Sequence, residues 1–204
     1  MSVIICPGVH SPELTQEFLE GIGKLLNLKQ IYVFPTRQFP AYSAIHILKF
    51  LSGQSSAQDL QLQHCILHPL VLIGFSAGVV GAIGAARILQ SFGGQVKAVI
   101  AFDGWGVPLL GNFPIHRVSH DRFTDWSSTL WGRNDSSFYA DPATAHLDLW
   151  RSPQTVPGWT NEAIDSAPTA RLTGYGQKQY STTAAQFLKH LLIHYQEVEV
   201  ASIS

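Results

Sequence analysis

Charge is the scarcest ingredient of this 204-residue chain: only 13% of its residues are Asp, Glu, Lys or Arg, against about a quarter in an average soluble domain. With 46% hydrophobic and 11% aromatic residues beside that, a disordered or acidic-tail protein is excluded. Lys plus Arg number 13 and Asp plus Glu 14, so no basic field is available for nucleic acid or anionic lipid. Cysteine is almost absent: Cys6 and Cys65 form at most one disulfide, and reduced thiols are expected. Long apolar runs are lacking too. The longest, Ala77 to Ala86, reaches only about half the length needed to cross a bilayer. The N-terminus has no basic segment ahead of its short apolar run Val3 to Cys6, so no secretion signal is expected. A cytoplasmic protein without stable membrane insertion follows as the expectation. Neither a phosphate-cradling Gly-x-x-x-x-Gly-Lys-Ser/Thr loop nor a Gly-x-Gly-x-x-Gly turn is found after a strand, so no nucleotide cofactor is expected.

What is present is a succession of short apolar, β-branched runs separated by stretches of helical period. That succession is the mark of a mostly parallel sheet covered on both faces, a three-layer α/β/α sandwich. Strands are expected at Val3 to Cys6, Ile31 to Phe34, Leu70 to Ile73, Val96 to Phe102, Ile115 to Ser119 and, last, Ser137 to Ala140. Helices are expected from Pro12 through Leu25, with Ser11 as N-cap, around Ala44 to Leu51, from Ala77 to about Gln90, and from Phe187 to Tyr195. Residues 151–176 have no clear period and several Pro and Gly residues. They read as a surface excursion with one short helix near Asn161 to Asp165, a possible lid whose Trp159 would cover the site. Nothing divides the chain, so residues 1–204 read as one domain.

The chemistry centres on Gly74-Phe75-Ser76-Ala77-Gly78. A bare Gly-x-Ser-x-Gly match is weak, but this one lies between the most apolar strand and a helix, where a sharp turn would expose the hydroxyl above the sheet. The main-chain amide of Ala77, at the start of that helix, is free to donate to a developing oxyanion. A plainer alternative is that Ser76 merely caps the helix. A serine nucleophile also needs a base and an orienting acid from elsewhere in the chain.

With strand, elbow and helix in this order, the chain resembles the α/β-hydrolase fold superfamily of serine esterases, lipases and thioesterases, from about Val3 to His146 and again in the C-terminal helix. The resemblance implies nucleophile, acid and histidine in that chain order. Asp121, at the end of a strand after the elbow helix, takes the acid's place, and His146, after the last expected strand, takes the base's. Asp103, one strand earlier, is the next choice of acid, with Asp125 and Asp148 behind, and His120 is the next choice of base. The loop after the first strand, Pro7-Gly8-Val9-His10, would supply the second oxyanion amide, from Val9 or His10, although many relatives have His-Gly where this chain has Pro-Gly. Beginning at that strand, the chain would lack the two antiparallel edge strands of larger members. The implied activity is hydrolysis of a small-molecule carboxylic ester or thioester through an acyl-enzyme, without cofactor. The alternative is a non-catalytic protein of the same fold that binds a small ligand or a partner. His190 and His194, four apart on the last helix, lack a His-Glu-x-x-His pattern, and no metal site is expected.

Overall fold

A computed structural model describes residues 2–23, 31–53, 69–128, 135–164, 169–173 and 178–195. The expected strands form, and three further ones join them. In chain order they are β1 (Ser2–Cys6), β2 (Ile31–Val33), β3 (Leu70–Phe75), β4 (Val96–Phe102), β5 (Ile115–Ser119), β6 (Ser136–Ala140), β7 (Pro157–Thr160), β8 (Ala170–Leu172) and β9 (Lys178–Thr183). They make one sheet in the order β2-β1-β3-β4-β5-β6-β7-β9-β8. Neighbours from β2 through β6 are parallel, and β7, β9 and β8 extend the sheet by antiparallel pairing. Among the described residues β2 is the edge on its side.

The helices are α1 (Pro12–Gly23), α2 (Ala44–Ser52), α3 (Ala77–Ser91), α4 (Arg122–Ser128), α5 (His146–Arg151) and α6 (Ala184–His194). Side chains alternate across each strand, and in β1 both alternations are buried. Val3 and Ile5 pack under Leu14, Phe18 and Ile22 of α1, Trp150 of α5 and Phe187 and Leu191 of α6. Ile4 and Cys6 face Ile47 and Leu51 of α2 and Val79, Ala82 and Ile83 of α3. Two helix-covered faces explain why these strands read as unbroken apolar runs. Burial pushes the Cys6 thiol up to about 12, so it is a core thiol with no thiolate at neutral pH.

β1 lies between β2 and β3. The chain thus winds outward from β1 to β2 and then crosses back to β3, and the loops leaving β1 and β3 part on either side of a crevice. Such a switch point, at the carboxyl ends of the strands, is where open α/β sheets bind ligands. Ser76 ends one of those two strands and Pro7 to His10 leaves the other.

Residues 151–176, expected to be a surface excursion with one short helix, instead contribute two strands. These are β7 and β8, and Trp159 is paired with Tyr139 of β6 and donates its indole N–H to Asp141 Oδ2 at 3.0 Å. Residues 161–164 are not helical, while 165–168 and 174–177 lie outside the described residues. A Pro-Gly start and strands of three or four residues on a partly solvated flank hid this part of the sheet.

Candidate active site

The turn after β3 is strained at the serine. Ser76 has φ 52° and ψ −120°, a conformation that favours glycine and costs a side-chain-bearing residue on the order of 1–3 kcal/mol. Its surroundings hold it there: Ser76 N donates to Phe102 O at 2.9 Å and Val79 N to Ser76 O at 3.0 Å. The flanking glycines are required by close approach. A Cβ on Gly78 would stand 2.0 Å from Cys6 O, and one on Gly74 would stand 2.8 Å from Val79 Cα. The Ser76 side chain makes no capping hydrogen bond, which answers the plainer alternative.

Asp103 is the other non-glycine residue with positive φ among the described residues, at 48°. It follows β4, next to β3, and its main-chain N–H donates to Val118 O at 2.9 Å. Strain in the described backbone thus falls on two polar residues at one end of the sheet, the kind of place where sites store it.

His146 is the first residue of α5, not part of a loop. Its ring stacks on Phe75, the residue before the serine, at 4.7 Å between centroids. A six-residue helix has little stability of its own, so packing sets its position. Trp150, fully buried, stacks on Phe18 at 3.8 Å and on Phe75 at 4.8 Å. The imidazole is oriented from behind by a carboxylate: His146 Nδ1 lies 2.7 Å from Asp103 Oδ2.

The carboxylate on His146 is therefore Asp103, and the expected pairing with Asp121 is not formed. Asp121 Oδ1 instead accepts the Thr124 N–H at 2.6 Å, capping α4, and Oδ2 lies 3.4 Å from His120 Nε2. Asp125 and Asp148 are engaged elsewhere, the first with the buried Arg117 at 3.3 Å and the second with Arg151 at 2.7 Å. Asp103 has a side chain only 2% exposed. Burial works to raise its pKa, but hydrogen bonds from His120 and His146 and the charge of His120 outweigh it and hold the carboxyl below its ordinary value. Its Oδ1 accepts the His120 main-chain N–H at 2.8 Å. The Asp103 carboxylate raises the His120 imidazole, partial burial opposes this, and the charges of Asp103 and Asp121 add to the rise.

The β1 loop closes the other side of the serine. Gly8 is buried, and a Cβ there would stand 2.9 Å from Phe75 O and 3.2 Å from Ser76 Cβ. Val9 turns its side chain to solvent. His10 Nδ1 lies 2.8 Å from Ser11 O, and its ring meets Phe75 edge-on at 5.5 Å, a wall beside the elbow. Ala77 begins the fifteen-residue α3, so its N–H is among those a helix leaves without an internal partner.

The tryptophans divide. Trp105, after β4, and Trp126, on α4, are exposed at the carboxyl edge, Trp150 is core, Trp159 is in the sheet, and Trp131 lies outside the described residues. Asp103, His120 and His146 bring nitrogen and oxygen atoms within 4.8 Å of one another. Two of these atoms are already joined by the 2.7 Å bond, so the group is read as an acid shared by two histidines. His190 Nε2, on α6, lies 3.3 Å from Glu162 Oε1.

No protein-family model matches the chain, and no curated protein matches it in sequence. Solved structures do match. The fold aligns with YbtT, the type II thioesterase from the yersiniabactin NRPS/PKS biosynthetic pathway, with a TM-score of 0.55 over 97% of this chain and 94% of that one, at 13% identity. The chain has the α/β-hydrolase fold. Among the described residues no helix is long and apolar enough to cross a membrane.

Proposed function

We propose that the chain is a serine hydrolase of small-molecule acyl thioesters or esters, with Ser76 as nucleophile, His146 as general base and then acid, and Asp103 as the orienting carboxylate. The observation that carries this reading is the 2.7 Å bond from a buried carboxylate to a histidine stacked on the residue that precedes a strained serine. Bonded through Nδ1–H, His146 keeps Nε2 as its basic nitrogen. In acylation the Ser76 Oγ–carbon bond forms as His146 takes the hydroxyl proton. The carbon–sulfur or carbon–oxygen bond then breaks, and the same proton goes to the leaving thiolate or alkoxide. In deacylation water takes the place of the leaving group, loses a proton to His146, and releases the acid and a restored serine. The oxyanion would be met by the N–H of Ala77 and by an amide of the Gly8-Val9-His10 loop, which approaches the serine from the other side of the crevice.

Thioester hydrolysis is favoured by the thioesterase whose fold this chain shares. An apolar acyl group is favoured by the apolar side chains that follow the strands' carboxyl ends, where Val9, Tyr42, Trp105 and Phe123 are all more than half exposed. The test is labelling with a fluorophosphonate, with the site located by peptide mass, alongside hydrolysis of acyl-CoA and p-nitrophenyl esters of rising chain length. Labelling at Ser76, and loss of both reactions in Ser76→Ala, is expected. A folded protein that neither labels nor hydrolyses any of the series would instead be the non-catalytic binder.

A further inference from the structure

The Asp103 carboxylate serves two histidines. Oδ2 holds His146, while Oδ1 accepts the His120 main-chain N–H at 2.8 Å and lies 3.0 Å from the His120 ring Nδ1. Oδ1 has a second lone pair beside the one that takes the main-chain donor, and the ring's Nδ1 meets it as an ion pair when the imidazole is protonated. The far nitrogen of the ring, Nε2, is 3.4 Å from Asp121 Oδ2, and Asp121 is fixed by the Thr124 N–H. The rings of His120 and His146 meet edge-on at 6.0 Å, and Thr144 N donates to His120 O at 3.0 Å, tying the two segments together.

Resting on the triad reading above, we infer that His120 is a positioning residue: its imidazole shares Asp103 with His146 and, by gaining a proton, tempers the carboxylate that the base depends on. The groups facing it are Asp103 at the end of β4, Asp121 beside it in sequence, and His146 at the start of α5. Two of the three are anionic, which is why its proton is held above the ordinary histidine value. A proton on His120 sets a positive charge against Asp103 and weakens that carboxylate's hold on the positive charge that develops at His146 in the transition state. Asp103 acts at full strength when His120 is neutral. Two imidazoles on one carboxylate are coupled, so the acid limb of kcat/KM carries a second step that depends on His120.

The experiment is kcat/KM for a p-nitrophenyl ester between about pH 5 and pH 9, for the native protein, His120→Gln, Asp121→Asn and Asp103→Asn, each checked for folding by circular dichroism. The native acid limb is expected to need two ionisations, with a shoulder on the order of tenfold below the plateau. In His120→Gln the limb collapses to a single ionisation. Asp121→Asn moves the outer step to lower pH, since an anion that holds the His120 proton is gone, and it decides the matter even where His120→Gln fails to fold. Were His120 merely structural, His120→Gln would lower the rate by the same factor at every pH and leave the limb's shape alone. That result, or a native limb with one ionisation, overturns the inference. A fully active Asp103→Asn would overturn the triad reading instead.

Discussion

Asp103→Asn removes one charge from the site and keeps almost everything else. Position 103 has φ 48°, a region that Asn enters at least as readily as Asp, so the turn is kept. The side-chain orientation is dictated too. Oδ1 faces the His120 main-chain donor at 2.8 Å, so the Asn carbonyl oxygen must take that place, and its NH₂ is left against His146 Nδ1. An amide donor there forces Nδ1 to accept, puts the ring proton on Nε2, and leaves nothing to take the serine's proton. The lost attraction gives a second measure of the cost: opposite charges 2.7 Å apart at an effective dielectric of about 20 attract by about 6 kcal/mol. At 1.36 kcal/mol per decade that corresponds to about four decades of rate, the scale on which such a tautomer error falls. The assay is kcat/KM on a p-nitrophenyl ester on the alkaline plateau of the pH profile, with melting curves for each variant. Asp121→Asn is the control: Asn caps a helix as well as Asp does, and a cost of no more than about tenfold is expected. A loss of a thousandfold or more in Asp121→Asn, with Asp103→Asn nearly active, would refute the reasoning and return the acid to the end of β5.

Gly8→Ala should lower kcat by one to two decades with little change in secondary structure, because its Cβ would stand 2.9 Å from Phe75 O and push an oxyanion amide away from the serine; unchanged kcat would remove the β1 loop from the oxyanion site. Trp150→Leu should cost roughly 2–4 kcal/mol in urea unfolding and also slow the folded enzyme, since Trp150 seats the helix that carries His146; a stability loss with no change in kcat would show that α5 is held by other contacts. His116 is buried neutral, its pKa pushed down to about 4 by desolvation. Below its unfolded value of about 6.5 the unfolded chain takes a proton that the native one refuses, so His116's contribution is present above that pH and is lost as pH falls toward 4. The urea midpoint should drop across that window, and His116→Gln should flatten the drop.

The parallel half of the sheet was legible because burial on both faces leaves an unbroken apolar run, and the elbow because Gly74 and Gly78 are forced by contacts as close as 2.0 Å. The acid was not legible in the same way. Asp103 and Asp121 both end apolar strands, and only the packing of α5 on Phe75 decides which of them His146 reaches. Asp103-Gly104 reads as a turn in sequence, and it is one; the left-handed φ that makes the turn also aims the carboxylate. His120 reads from the sequence only as the second choice of base, and its part through Asp103 depends on a main-chain hydrogen bond that no residue pattern reports. Strands β7 to β9 were missed for lack of burial, since a partly solvated flank tolerates Pro, Gly, Thr and Gln where a central strand does not.

The φ of 52° at Ser76 sets stability against activity at a single position. Ser76→Gly would release strain on the order of 1–3 kcal/mol and give back part of it, about 0.5–1 kcal/mol, as added entropy of the unfolded chain. Ser76→Gly should therefore melt higher than the native protein, and on the proposed role of Ser76 it should also be inactive. Random mutagenesis selected for thermal tolerance alone would drift toward glycine here.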